Sequence, residues 1–112
     1  DLYPTTAKLC GLDVPNRIQG LDISATLDDP KAEIRKAAFS VAPMRKGFLL
    51  RTDRWSFIQY GEDAKGGIEL YDTKKDPKQY TNLASDPAHA ERVAEFRNQM
   101  TAKLEEIRDN DL

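Results

Sequence analysis

The sequence predicts an α+β fold in which a four-stranded antiparallel sheet packs against a long C-terminal amphipathic helix, with a short helix at the N-terminus. Four segments between residues 37 and 72 alternate apolar and polar side chains and are separated by short links, a pattern typical of an antiparallel meander. Between residues 87 and 108, apolar residues instead recur every third or fourth position. The sheet and the helix would each bury the apolar face of the other.

The short N-terminal helix is expected over residues 2–10. Asp1 can cap it, Pro4 lies in the first turn where a proline is tolerated, and Gly11 can end it. The chain from residue 12 to residue 36 has no sustained periodicity, so we expect irregular structure and a charged connector there.

The four strands are expected at residues 37–41, 47–52, 55–60 and 68–72. Asp53 and Arg54 leave only a two-residue link between the second and third strands, which is the length of a tight β-hairpin. The other links are also short, so the strands should neighbour one another in chain order.

The last helix has a clear start signal, because Asp86 can act as N-cap and Pro87 suits the first helical position. The helix is expected over residues 87–108. Its apolar stripe consists of Val93, Phe96, Met100, Leu104 and Ile107.

Charge and hydropathy exclude two classes of partner. The net charge is −2 with both signs interspersed, so the basic stripe of a nucleic-acid-binding protein is missing. The longest apolar run, residues 47–50, is far too short to span a membrane. The chain starts at Asp1 rather than Met and has no signal-peptide pattern, so we expect a piece of a longer protein whose targeting signal lies upstream.

The sequence offers little chemistry. Cys10, the only cysteine, is expected to be a buried small apolar residue. His89 is expected to be solvent-exposed at the start of the last helix, without the positioned partner that would make it a general base. The acidic pairs at residues 28–29 and 109–111 could attract calcium, but turn formation and helix-end fraying explain them better. We therefore predict no catalytic residue and no metal ligand.

One loop tip stands out as a candidate ligand contact. Met44, Arg45 and Lys46 lie between the first two strands, and an arginine can bind a sulfate or carboxylate through two parallel hydrogen bonds. A solvated hairpin tip is the alternative interpretation. Trp55, Phe57 and Tyr60 could form an aromatic platform, although aromatic residues on strands more often pack within the sheet.

Several short motifs occur in a fixed order along the chain: D-L-Y-P-T at 1–5, L-C-G-L at 9–12, Q-G at 19–20, R-T-D-R-W at 51–55, E-L-Y-D at 69–72, D-P at 76–77 and N-L-A at 82–84. This ordered set resembles the C-terminal part of type I, formylglycine-dependent sulfatases, and within them the iduronate-2-sulfatase-like branch. The resemblance covers nearly the whole chain.

The resemblance implies a non-catalytic C-terminal fragment of a sulfuric ester hydrolase. Residues 1–36 would be the tail of the catalytic domain and a connector, and residues 37–112 the C-terminal subdomain, with its sheet at 37–72 and its helix at 87–108. The partners implied are the catalytic domain and a sulfated glycan or small sulfate ester, with Met44, Arg45 and Lys46 at the rim of the substrate pocket. The resemblance also implies a periplasmic, secreted or lysosomal-like location for the parent protein, which this fragment alone does not reveal.

Family members carry calcium and a formylglycine made from Cys or Ser in a C/S-x-P-S/A-R motif. Cys10 is followed by G-L-D-V and does not match it, so this fragment is expected to hold no cofactor and to be inactive alone.

Two alternatives remain open. One is a free-standing module that binds anionic glycans through Arg45, Lys46 and Arg51, and the other is an interaction domain built on the helix 87–108. A fragment differs from both because its opening helix should leave apolar surface exposed around Leu2, Leu9 and Leu12.

Overall fold

The computed structural model describes residues 1–42, 44 and 46–108. The chain divides into two compact units. The first consists of Asp1–Lys36 together with the end of the last helix, and the second is Ala37–Glu106.

The first unit contains helix α1, Leu2–Leu9, and the short helix α2, Ala25–Asp28. Helix α1 confirms the prediction and ends one residue early, whereas the prediction of irregular chain was wrong for α2. A four-residue helix is too short to show an apolar period. Cys10 is exposed, so the expectation of a buried cysteine was also wrong.

Asp1 and Thr5 hold an extended segment of the first unit in place. The Asp1 carboxylate accepts a hydrogen bond from the Leu21 backbone N–H at 2.9 Å rather than from a helix N–H. Thr5 Oγ1 accepts one from the Ile23 N–H at 3.0 Å. A Cβ at Gly20 would lie 2.8 Å from the Asp1 nitrogen, closer than unbonded atoms can approach. These contacts give the D-L-Y-P-T and Q-G motifs one shared structural role.

Large apolar side chains of the first unit are exposed, as expected of a fragment. Leu2 is 81% exposed, Leu9 61% and Leu12 64%. Single exposed apolar residues are ordinary, whereas these three lie within one short stretch of the chain.

The second unit contains four strands: β1 is Ala38–Ala42, β2 Gly47–Arg51, β3 Trp55–Tyr60 and β4 Ile68–Asp72. Their order in the sheet is the chain order, and every neighbouring pair is antiparallel. The four predicted strands are confirmed, with ends that differ by one residue at most.

The long helix α3, Ala90–Arg108, follows a single 3-10 turn, Pro87–His89. The Asp86 carboxylate accepts a hydrogen bond from the Ala88 N–H at 2.9 Å, which confirms the predicted N-cap. Three residues of the predicted stripe are buried, namely Phe96, Met100 and Leu104. The two residues at the ends of the stripe, Val93 and Ile107, are half-buried.

The core of the second unit lies between one face of the sheet and α3. Leu50, Phe57 and Leu70 are cross-strand partners in β2, β3 and β4, and Phe57 and Leu70 are completely buried. The Phe57 ring stacks on the Phe96 ring of α3 with centroids 5.4 Å apart. This contact between the sheet and the helix confirms the predicted α+β fold.

The outer edge of β4 is closed by the segment that follows it. The Asn82 side chain accepts a hydrogen bond from the Leu70 N–H at 3.0 Å and donates one to the Ile68 carbonyl at 3.2 Å. The Leu83 N–H donates to the Leu70 carbonyl at 2.8 Å. Asn82 therefore imitates a neighbouring strand, which is the structural role of the N-L-A motif.

Candidate functional site

An ion pair between a half-exposed arginine and a buried carboxylate joins the β2–β3 hairpin to the end of β4. Asp72 is 4% exposed, and the Arg54 guanidinium binds its carboxylate through Nη2 at 2.7 Å and through Nε at 3.1 Å. Asp72 also accepts hydrogen bonds from the backbone N–H groups of Lys74 and Lys75. The hydrogen bond from Arg54 lowers the pKa of Asp72 to about 2. The R-T-D-R-W and E-L-Y-D motifs thus meet in a structural contact.

This ion pair should make the stability of the chain depend on acid. The folded-state pKa of Asp72 lies below the ordinary value of 3.8, so the pair stabilises the fold above about pH 4 and this contribution is lost as the pH falls towards about 2. We expect Asp72→Asn to be less stable than the wild type at neutral pH and to lose less stability between those two pH values. Urea unfolding followed by circular dichroism measures both effects.

The control for this prediction is Asp53→Asn, which removes an acid whose side chain is 76% exposed. Exposed ion pairs contribute little to stability, so this variant should follow the wild type. An Asp72→Asn protein with the same acid dependence as the wild type would contradict the assignment.

Trp55 is the centre of a second cluster. It is 9% exposed, and the guanidinium carbons of Arg54 and Arg92 lie 5.0 and 5.1 Å from its ring centroid. The His89 ring meets it edge to face at 5.7 Å, so His89 is half-buried rather than solvent-exposed as expected. These contacts stabilise the fold, and the packing interpretation of Trp55 is the one that the structure supports.

An open cavity of about 580 Å³ lies beside Trp55. The two arginines at its wall are already bound to acids, Arg54 to Asp72 at 2.7 Å and Arg92 to Glu95 at 3.3 Å. No hydrogen bond between described residues involves a ring nitrogen of His89. The cavity therefore lacks a positioned acid–base pair.

The predicted rim residues lie at the tip between β1 and β2. Met44 is completely exposed, and Lys46 is exposed and adopts a left-handed backbone with φ 47°. Arg45 lies outside the described residues. Lys46 lines a cavity of about 600 Å³ together with Val41, Phe48 and residues 61–63.

Gln59 fixes the loop that faces this tip. It is 3% exposed, and its amide Nε2 donates hydrogen bonds to the carbonyls of Gly61 at 3.1 Å and Glu62 at 2.8 Å. The Gly61 N–H in turn donates to the Lys46 carbonyl at 2.8 Å. The sequence analysis missed this role. A glutamine on the apolar face of β3 is nevertheless a signal of such a contact, because a buried amide needs hydrogen-bond partners.

Lys46 offers a positive charge to a ligand. No acidic group of the described residues lies within ion-pair distance of its Nζ, whereas the nearby Asp63 is bound to Lys65 at 2.8 Å. The hydrogen bond from Lys65 lowers the pKa of Asp63. The apolar side chains of Val41 and Phe48 line the same cavity. The cavity therefore combines an apolar wall with one lysine and two acidic residues, Glu62 and Asp63. An anionic group of a ligand would have to meet Lys46 on the side away from those carboxylates.

A third polar cluster lies on the opposite face of the sheet. The hydroxyls of Tyr60 and Tyr71 donate hydrogen bonds to the two carboxylate oxygens of Glu69, at 3.1 and 2.9 Å. Burial, followed by the hydrogen bond to Glu69, raises the pKa of Tyr71 to about 12. Tyr71 therefore remains a neutral hydrogen-bond donor at physiological pH.

Within the part of the chain that the structure describes, no three His, Cys, Asp or Glu residues come together in a way that could hold a metal ion. The acidic pair at residues 28–29 joins no such group, and residues 109–111 lie outside the described residues. Within residues 1–42, 44 and 46–108, no helix combines the length and the apolar character needed to cross a bilayer.

The fold and these surfaces define an α+β domain whose polar interior contacts are structural and whose exposed tip carries Lys46, which has no ion-pair partner among the described residues. Residues 1–110 match the family described as "N-sulphoglucosamine sulphohydrolase, C-terminal", and the chain belongs to this family. This finding confirms the recognition of a sulfatase C-terminal domain.

Similar proteins agree with this assignment. The chain is 33% identical over 105 residues to a Delta 4,5-hexuronate-2-O-sulfatase of Bacteroides thetaiotaomicron, covering 87% of this chain and 21% of that protein. It is 26% identical over 97 residues to Arylsulfatase K of Mus musculus, covering 77% of this chain and 18% of that protein. A structure solved in complex with D-glucosamine-2-N,6-O-disulfate superposes with a TM-score of 0.81 at 26% identity, covering 99% of this chain and 24% of that one. The chain thus spans about a fifth of the length of the curated relatives it matches.

The sequence does not fit the formylglycine motif that the resemblance implies. Cys10 lacks the following proline, and residues 85–89, S-D-P-A-H, match its first four positions but carry His89 in place of arginine. The start of α3 explains this second segment, because Asp86 is the N-cap and Pro87 the first residue of the turn. No catalytic step is therefore assigned to the residues of this chain.

Proposed function

We propose that this chain is the non-catalytic C-terminal domain of a sulfuric ester hydrolase acting on a sulfated glycan or a small sulfate ester. In this proposal residues 1–36 are the tail of the catalytic domain and a connector, residues 37–112 are the C-terminal subdomain, the chain packs on the rest of the catalytic domain, and Met44, Arg45 and Lys46 border the substrate pocket. The observation that carries it is the family membership of residues 1–110, joined to the exposed charge of Lys46, which has no ion-pair partner among the described residues.

The exposed apolar residues of the first unit support packing on a partner domain. Leu2 and Leu9 lie on α1, and Leu12 follows it directly. All three are more than half exposed, and apolar side chains this exposed are stabilised when a partner covers them. The chain matches only 21% of the length of the hexuronate-2-O-sulfatase, and in a protein of similar length the remainder would be available to do so.

The tip supports a role at the rim of a pocket. Lys46 is held in a defined backbone conformation by the hydrogen bond from Gly61, so its side chain starts from a fixed position. A fixed cation binds an anion with a smaller loss of conformational entropy than a mobile one. A sulfated sugar presents both an anionic group for Lys46 and an apolar ring surface for Val41 and Phe48.

Calcium and formylglycine belong, in this proposal, to the rest of the protein. Formylglycine would supply the nucleophile that attacks the sulfate ester. The residues of this chain contribute binding and orientation only.

The test is made in the full-length protein with Lys46→Ala. A hydrogen bond to a charged group is worth about 1.5–3 kcal/mol, so we expect KM for a sulfated disaccharide to rise by about tenfold or more. The value of kcat should change little, because a remote contact is made equally in the ground state and the transition state.

Lys65→Ala is the matched control. Lys65 is a lysine on the facing loop whose side chain is 87% exposed and already paired with Asp63. Its removal takes away the same charge but no proposed substrate contact, so KM should rise much less than in Lys46→Ala. If Lys46→Ala behaves like Lys65→Ala on every sulfated substrate that the enzyme turns over, the tip does not border the pocket.

A further inference from the structure

The two outer edges of the sheet differ in whether their backbone groups are hydrogen-bonded. The Thr52 N–H donates to the Trp55 carbonyl at 2.9 Å at the end of the β2–β3 hairpin. In antiparallel strands the residues that bond to one neighbour alternate with those that bond to the other. Counting back from Thr52, Leu50 and Phe48 bond to β3, and Leu49 bonds to β1.

This alternation determines which groups of β1 point outward. Ser40 is the cross-strand partner of Leu49, so the backbone of Ser40 bonds to β2. The N–H and carbonyl groups of Phe39 and Val41 therefore point away from the sheet. Continuing the alternation through β3 into β4 shows that the backbone N–H and carbonyl of Leu70 also point outward, away from β3.

At the β4 edge the outward-pointing backbone groups of Leu70 and the carbonyl of Asp72 have hydrogen-bond partners within the chain. Leu70 bonds to Asn82 and Leu83, and the Asp72 carbonyl accepts hydrogen bonds from Lys75 and Asp76. At the β1 edge, no described residue forms a hydrogen bond with the outward groups of Phe39 or Val41. One edge is closed by the chain itself and the other is open.

Strand β1 also lacks the features that keep a free edge from pairing. Natural edge strands carry charged residues, prolines or bulges, whereas Ala38–Ala42 consists of five uncharged residues with regular pairing to β2. Val41 is 44% exposed, and the Phe39 ring stacks on Phe48 at 6.4 Å. The open edge is thus regular, neutral and apolar on one side.

We propose that the outer edge of β1 pairs with an extended segment from the rest of the sulfatase chain, which adds a fifth strand to the sheet. The segment would alternate apolar and polar side chains, so that its apolar residues lie beside Phe39 and Val41. This inference rests on the proposed packing of the chain on a catalytic domain. A segment of the same polypeptide pairs at a high effective concentration, which favours it over a second copy of the protein.

Amide hydrogen exchange in the full-length protein and in the 112-residue chain tests the proposal. We expect the Phe39 and Val41 amides to exchange at least about tenfold more slowly in the full-length protein than in the short chain. The Ser40 amide, which bonds to β2 in both, is the internal control and should be protected in both. Equal, fast exchange of Phe39 and Val41 in both proteins would overturn the proposal.

Two proline variants of the full-length protein distinguish the proposed hydrogen bonds to the added strand from the hydrogen bonds between β1 and β2. Val41→Pro removes only an outward donor, so the Phe39 amide should lose its protection while the amides of β2 stay protected. Ser40→Pro removes a bond to β2 and should expose the β2 amides as well. Unchanged Phe39 protection in Val41→Pro would contradict strand addition, even if this variant of the short chain does not fold.

A self-paired edge is the competing outcome. In that case the amides of Phe39 and Val41 in the short chain would become protected as its concentration rises, and sedimentation would show a monomer-to-dimer transition. If these amides also gain no further protection in the full-length protein, a second copy is the occupant and the proposal fails. These readouts do not involve substrate, so they are independent of the Lys46 kinetics that test the proposed function.

Discussion

Phe57→Ala is expected to destabilise the chain by about 3–5 kcal/mol, the range for removing a fully buried aromatic side chain. Phe57 has no exposed surface and lies between the sheet and α3. The variant would lose the burial of its ring and the stacking on Phe96, and it would leave a cavity between the two layers. Since domains of this size are stable by about 5–15 kcal/mol, much of the chain's stability depends on this contact. Guanidinium unfolding followed by far-ultraviolet circular dichroism measures the effect.

Met44→Ala is the control for this experiment. Met44 is completely exposed, so its truncation should change stability by less than about 0.5 kcal/mol. A Phe57→Ala protein as stable as Met44→Ala would show that α3 does not cover the sheet, and the fold described above would be wrong.

Asn82→Ala should destabilise the chain by about 1–3 kcal/mol, the range for leaving a buried backbone group without its partner. The variant leaves the N–H of Leu70, a residue with no exposed surface, without its acceptor, and it removes the donor to the Ile68 carbonyl. The edge of β4 should also open locally. The amide of Leu70 should therefore exchange with solvent faster than in the wild type, and thermal unfolding gives the change in stability.

Asn98→Ala is the matched control, because Asn98 lies exposed on α3. The same substitution there removes no hydrogen bond between described residues and introduces a better helix former. Its stability should stay within about 0.5 kcal/mol of the wild type or rise slightly. If the two substitutions cost the same, Asn82 does not close the edge of β4.

Periodicity was sufficient to predict the fold of the second unit. The alternation along β3 and the stripe on α3 each follow from a repeating geometry, so a few residues reveal the whole element. The link of two residues between β2 and β3 indicated the hairpin, and Asp86 with Pro87 indicated the start of the last helix. Each of these signals is local in the chain.

The contacts that hold the elements together were not predicted, because they join residues far apart in sequence. Arg54 and Asp72 are 18 positions apart, and Asn82 caps a backbone group 12 positions away. The sequence shows that such residues are present but not that they meet. Helix α2 has too few residues for a period, and the exposure of Cys10 depends on where the surrounding chain runs.

The candidate site was predicted in part. Residue type and loop position are the basis for choosing the tip at residues 44–46. The structure adds that Lys46 has no ion-pair partner among the described residues and that it lines a cavity together with Phe48. The buried Gln59, which fixes the facing loop, could be recognised only once its hydrogen bonds were known. Whether the tip reaches a substrate depends on a domain outside this chain.

Sulfate release by the purified 112-residue chain tests the central claim most directly, namely that this domain supports a sulfatase without performing its chemistry. With an aryl sulfate and a sulfated disaccharide as substrates, we expect no release above the rate in buffer, while the full-length protein releases sulfate from at least one such ester. Release by the short chain that persists through repurification and disappears in its Lys46→Ala variant would contradict the account.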